Sequence, residues 1–171
     1  MIQKYALALA VAVSGAVAFT GTATAQTATP LGQFKDWGAY VAEANGGKVC
    51  YALSQPKSTS PANVNRDPVY FFVTTRPGQG VKNEVSIVVG YPYKDDSKAS
   101  AEVGSASFTL FTKDDGAWVE NAAEEARLVA AMRAGATMKV KGTSQRGTDT
   151  VDSYSLSGIS AALDKIAQEC K

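Results

Sequence analysis

The chain has 171 residues, with 17 Lys and Arg set against 16 Asp and Glu, a formal charge of +1 and no histidine. So even a balance lacks the basic face that a nucleic-acid partner requires. The missing imidazole removes the Ser-His-Asp and Cys-His constellations and the commonest transition-metal ligand, leaving carboxylates, Lys or Tyr for any catalysis.

The first 25 residues read as a cleaved signal peptide. Lys4 supplies a positive start, Ala6 to Phe19 is almost wholly small and apolar, and Ala23-Thr24-Ala25 fits the small-x-small rule for the cut. The apolar run is too short to span a bilayer, and no later run is long enough. No cysteine stands near the cut to carry a lipid anchor. The expected organisation is a signal peptide over 1–25, a flexible leader over 26–33 and one β-rich domain over 34–171. That address is the periplasm, the outer-membrane surface or the medium.

From Phe34 the pattern turns to strands. Phe34 to Glu43 and Lys48 to Ser54 flank Asn45-Gly46-Gly47, residues that tolerate the left-handed backbone of a hairpin turn. A polar loop with Pro56, Pro61 and Pro68 runs from Gln55 to Pro68. Val69 to Val73 and Val85 to Val89 are apolar on both faces, which predicts central strands around a Pro77–Gly80 turn. Ala99 to Val103, Ser107 to Thr112 and Ala117 to Val119 follow, separated by Gly104-Ser105 and Asp114-Asp115-Gly116. Asn121 to Ala134 predicts a helix capped by Asn121, with Glu124 reaching back and Gly135 ending it in the left-handed region. Thr137 to Ser144 and Val151 to Leu156 alternate as strands, and a last helix is expected near Gly158–Glu169. The fold class is mostly β: an antiparallel sandwich or barrel-like single domain with two short helices, about Ala122–Ala134 and Gly158–Glu169.

Cys50 and Cys170 are the chain's two cysteines. In an oxidising compartment they read most simply as one disulfide; two free thiols or a redox pair are the alternatives, though the usual CxxC spacing is absent. The ring would enclose about 120 residues, and chain entropy assigns about 4.7 kcal/mol to a ring of about 100. Ile159, Ala162, Leu163, Ile166 and Cys170 share one helical face. Along Lys48 to Ser54, Val49, Tyr51 and Leu53 share one strand face and Cys50, Ala52 and Ser54 the other. The bulky set is expected in the core, with the last helix covering the small set from outside and the disulfide pinning it there.

Candidate site residues are sparse. Asp95-Asp96, Asp114-Asp115 and Glu124-Glu125 fit turn and helix-start roles. Lys139, Lys141 and Arg146 form at most a weak basic patch, and Tyr91, Tyr93, Trp37 and Trp118 suit a core or its rim. The Gln55–Pro68 loop, with Lys57, Asn63, Asn65 and Arg66, is the candidate contact surface because loops carry function. Tyr70, Phe72, Phe108 and Phe111 are candidate lining for a small apolar ligand held between sheets, the alternative function being a periplasmic carrier. No metal, cofactor or catalytic set is expected.

Phe34-Lys35-Asp36-Trp37, Lys48-Val49-Cys50-Tyr51-Ala52-Leu53-Ser54-Gln55-Pro56 and Val89-Gly90-Tyr91-Pro92 resemble the invasion-associated locus B (IalB) family of alphaproteobacteria. The likeness continues through Phe108-Thr109-Leu110-Phe111-Thr112 and Ala117-Trp118-Val119-Glu120-Asn121-Ala122-Ala123-Glu124-Glu125. It ends at Tyr154-Ser155-Leu156-Ser157-Gly158-Ile159-Ser160-Ala161-Ala162-Leu163 and Cys170-Lys171. The resemblance implies an exported, envelope-associated, β-rich protein with no enzymatic activity to carry over; together with the signal segment, the cysteine pair and the absent histidine it leads to the expectation of a protein that binds an envelope or host protein. The family's name comes from a relative linked to pathogen entry into red cells. Several relatives have a cysteine four residues after the tryptophan, where this chain has Val41.

Overall fold

Period-two alternation builds nearly everything in this molecule. The computed structural model describes residues 28–44, 47–62 and 64–171. The expected signal segment, the hairpin tip at Asn45-Gly46 and Asn63 lie outside the described residues. In chain order the elements are β1 (Thr29–Phe34), β2 (Trp37–Ala44), β3 (Gly47–Ser54), β4 (Ser58–Ser60), β5 (Tyr70–Arg76), β6 (Val81–Val88) and β7 (Lys98–Val103). Then come β8 (Ala106–Lys113), β9 (Gly116–Val119), α1 (Ala122–Ala134), β10 (Thr137–Thr143), β11 (Asp149–Ser155) and α2 (Ile159–Glu169). A 3-10 turn at Pro77–Gln79 joins β5 to β6.

The strands pair antiparallel in one sheet of eleven, ordered β1-β2-β3-β5-β6-β9-β8-β7-β10-β11-β4. β1 and β4 are its edges, so the sheet is not closed into a barrel. It curls instead until its two halves meet, as in a sandwich. The Trp37 indole on β2 donates to the Ser155 carbonyl of β11 at 2.9 Å, and Phe71 of β5 meets Tyr154 of β11 edge-on, ring centres 5.6 Å apart. Of the residues expected in central strands, Phe71, Val73, Val85 and Ile87 are fully buried.

One face of the sheet, here the inner face, carries Trp37, Ala39, Cys50, Ala52, Phe71 and Val73. Both helices lie on it. α2 buries Ile159, Ala162, Leu163 and Ile166 against β1, β2, β3 and β5, and Cys50 and Cys170 are disulfide-bonded with their Cα atoms 6.0 Å apart. α1 buries Leu128, Val129 and Met132 beside β6, β8 and β9, and Glu125 accepts the Val85 N–H at 3.1 Å. An ion pair of 2.9 Å between Arg133 and Asp164 ties the helices together.

The expected orientation of β3 is therefore inverted. Cys50, Ala52 and Ser54 are the buried set, and Val49, Tyr51 and Leu53 are half-exposed on the outer face. The helix itself fills the core against β3, so the strand beneath it must present small side chains; the bulky ones have only the other side left. α2 is an inner layer, and the disulfide is a core bond.

Five local readings also change. Thr29–Phe34, placed mostly in a flexible leader, is an edge strand; Pro30 is tolerated because an edge leaves some N–H groups unpaired, and a bulge falls between Pro30 and Gly32. The single strand expected from Phe34 is broken by a turn in which Lys35 takes a left-handed φ of 52°, a break that no glycine announces. The Gln55–Pro68 loop contains β4, paired to β11. Asn121 caps α1 through a 3.0 Å bond from the Glu124 N–H, but the Glu124 carboxylate pairs with Arg127 at 2.6 Å. Gly135 has an ordinary φ of −88°; it is glycine because a Cβ there would stand 2.5 Å from Val103 Cγ1.

Candidate functional site

Three connections meet at the end of the sheet where β5, β6, β10 and β11 begin or finish. The 64–68 segment lies against the exit from β6 because Gly90 takes a φ of 72°. A Cβ on Gly90 would collide with the Asp67 carbonyl, and the Asp67 N–H donates to the Gly90 carbonyl at 2.9 Å. The 144–148 turn docks on the other side: Gln145 N–H donates to the Pro92 carbonyl at 2.8 Å, and Lys94 N–H to that of Thr143 at 3.0 Å. Inside the turn, Ser144 Oγ accepts the Thr148 N–H at 3.1 Å.

Between them is a cleft of about 560 Å³, lined chiefly by Asn65, Arg66, Tyr91, Gln145, Arg146 and Thr148. Val64, 41% exposed, stands at its mouth. Arg66 in this lining is held from behind by an ion pair in which its Nη2 donates to Asp152 Oδ1, the side chains 8% and 1% exposed. The Arg66 guanidinium also lies over the Tyr91 ring, 5.8 Å from its centre, and Tyr91 meets Tyr93 edge-on at 5.5 Å. Thr150 gives its proton to the Gly142 carbonyl at 3.2 Å. Tyr91 must therefore be the donor in its own bond to Thr150 Oγ1.

Burial dominates the electrostatics here. It raises the Asp152 carboxyl above its ordinary value, with the Arg66 hydrogen bond and charge pulling the other way. It likewise holds the Tyr93 and Tyr154 phenols far above the usual phenol range, with nearby Asp152 adding to the shift. Arg66 Nη1, Tyr93 Oη and Tyr154 Oη have no protein partner among the described residues. Neutral phenols, amides, hydroxyls and a neutralised guanidinium make a hydrogen-bonding surface, chemistry suited to holding a ligand.

The candidate contact residues divide. Asn65 and Arg66 belong to the cleft. Lys57 points elsewhere: its ammonium pairs with Asp36 and holds that carboxyl below its usual range. The aromatic lining set is also split, with Phe108 buried on the inner face and Tyr70, Phe72 and Phe111 on the outer face. No single space between layers can be lined by all four. Of the basic patch, Arg146 is in the cleft, while Lys139 and Lys141 are on β10, Lys141 paired with Glu102 at 2.8 Å.

Sequence reading missed Asp152 and Thr150, though a signal exists. In β11 the inward positions are Thr150, Asp152 and Tyr154, and an acid on the apolar side of an alternating strand demands a partner.

Residues 37–167 match the family model described as "Invasion associated locus B (IalB) protein". The chain belongs to the IalB family. The matched segment runs from the Trp37 indole that closes the curl into the last turn of α2, and it contains the whole cleft. The chain is also similar in fold to the crystal structure of invasion associated protein B from Bartonella henselae, at a TM-score of 0.53 and 18% identity. That likeness covers 86% of this chain and 100% of the other. No curated protein matches the sequence. Val41 lies directly across the ladder from Cys50.

Proposed function

We infer that this IalB-family chain is an exported, non-enzymatic binding protein of the cell envelope. It acts in the periplasm or at the cell surface and holds an envelope or host protein. The observation that carries this reading is the Cys50–Cys170 disulfide inside the core. Such a bond persists in oxidising compartments and is rare in the cytosol. The sequence supports the same address through the small, apolar segment after Lys4.

Binding is favoured over catalysis by the character of the cleft. Its tyrosines are kept neutral by burial, and Arg66 is already committed to Asp152. Asn65, Gln145 and Arg146 at the rim supply adaptable donors and acceptors for a partner's surface.

Fractionation of the source cells with thiols trapped at lysis tests the reading. The expected result is a chain beginning near Gln26 in the periplasm, outer membrane or medium, with both cysteines inaccessible to the trap. A full-length chain in the cytosol with two trapped thiols overturns it. Within the envelope, Asn65→Ala combined with Arg146→Glu should abolish cross-linking to the partner that the unaltered chain captures; unchanged cross-linking removes the cleft from the reading.

A further inference from the structure

The outer face of the sheet also carries large aromatic side chains. Residues paired across an antiparallel ladder share a face, so the register places Phe72, Trp118 and Phe111 in one row across β5, β9 and β8, with Ser86 of β6 between the first two. Tyr40 and Tyr51 stack beside that row at 5.3 Å. Trp118 and Phe111 stack at 5.6 Å with their planes 24° apart. Phe111 is 46% exposed, one of two large apolar side chains among the described residues to stand so far into solvent. An apolar sheet face of this kind ordinarily packs against a second layer. Here both helices occupy the opposite side, and no described element covers the rings.

The charges around the ring pair indicate what does. Lys98 lies directly across the ladder from Phe111, and Lys113 is two residues farther along the same face of β8. Both are exposed, and neither forms an ion pair among the described residues. β8 and β9 carry no acid; the exposed Asp95, Asp96, Asp114 and Asp115 belong to the turns just beyond the two lysines. A second copy packed through this patch about a two-fold axis would bring lysines toward lysines, because such an interface repeats the same surface on both sides. A layer of lipid phosphates meets the lysines with opposite charge. Tryptophan and phenylalanine suit the boundary between headgroups and acyl chains, and lysine stems lie along apolar surface while their ammonium groups reach outward.

We propose that the outer face around Phe111 and Trp118 docks on an anionic lipid bilayer, the two rings entering the interface and Lys98 and Lys113 pairing with headgroup phosphates. The site is separate from the cleft, so a membrane-held protein still presents the cleft to a partner.

The test uses the processed, disulfide-bonded protein purified from the envelope of cells that export it, with its N-terminus checked by mass spectrometry so that no leader contributes. Vesicles of phosphatidylglycerol and phosphatidylethanolamine should sediment it, and vesicles of phosphatidylcholine alone should not. Added salt should weaken the binding. Lys98→Glu with Lys113→Glu should weaken it at least about thirtyfold, since each lysine near an anionic surface contributes about 1 kcal/mol. Both lysines are exposed, so these variants fold. Fluorescence gives an independent readout: Trp37 is fully buried, so a blue shift on adding anionic vesicles reports Trp118 entering the interface, and Phe111→Ser should reduce it. Equal binding to both lipids, an unshifted spectrum, or lysine variants that bind like the parent overturns the proposal. So does a concentration-dependent dimer that Trp118→Ser dissociates, because a second copy then covers the face.

Discussion

β3 has two sides that follow opposite packing rules. Inward it offers Cys50, Ala52 and Ser54, all buried; outward it offers Val49, Tyr51 and Leu53, none of them fully covered. The ordinary expectation, that the larger apolar set marks the core, fails because the core on the inner side is supplied by α2. A strand beneath a closely docked helix contributes room, and the helix contributes volume through Ile159, Leu163 and Ile166. Side-chain size along a strand therefore reports how near the next layer stands. Burial follows from the layer, and the strand's own composition does not determine it.

If that contrast is correct, changes on the inner face should cost far more than changes on the outer one. The largest expected effect is at the buried ion pair beneath the cleft. Asp152→Asn or Arg66→Met should each destabilise by about 3–5 kcal/mol, because either leaves a charge buried and unpaired. Replacing both with apolar residues of similar volume should recover most of the loss in urea melts; a double variant as unstable as the singles would refute the pairing.

The same pair gives a pH dependence with a defined sign. Burial raises the Asp152 carboxyl, so the folded chain keeps that proton to higher pH than the unfolded one. Its contribution is complete below the unfolded value of about 3.9 and is lost as pH climbs through the raised folded value. The fall should be absent from the Asp152→Asn variant when urea midpoints are compared across that window.

Next in size is the clamp on α2. Cys50→Ser with Cys170→Ser should cost about 2–5 kcal/mol, and hydrogen exchange should rise first in Ile159–Glu169 and in β3. The smallest effects separate the two faces most directly. Ala52→Leu should cost about 1–3 kcal/mol by overfilling the space under the helix. On the outer face Tyr51→Ser, which removes the ring stacked on Tyr40, should cost about 1 kcal/mol. Comparable losses at both positions would mean that the two faces do not differ as described.

Much of this architecture was legible because alternation and turn chemistry are local. Strands at Lys48–Ser54, Ala99–Val103 and Ser107–Thr112, the Asn121 cap and the apolar stripe of α2 all follow from residues within a few positions of one another. The partner of Cys50 was legible for another reason: two cysteines allow one pairing. Which side of β3 faces the core was not legible, since periodicity divides a strand into two sets without saying what lies over each. The cleft was legible only in part. Asn65 and Arg66 come from a loop that looked functional, but Tyr91, Arg146 and Asp152 reach the same place through β10–β7 and β10–β11 pairing, information that no short window contains. The wrong assignment at Gly135 has the same origin. Its glycine is required by Val103 on a distant strand, and only its position after a helix was visible.

α2 follows every strand in chain order. Until it arrives, the small apolar floor formed by Ala39, Cys50 and Ala52 has no cover, and neither does the Cys50 thiol. A chain lacking α2 would therefore leave the sheet open on one side, exposed to capture by other chains and to sulfur exchange with the wrong partner. Docking of the helix seals the floor and sets Cys170 beside Cys50, where an oxidant of the compartment can take up the two electrons as the bond closes.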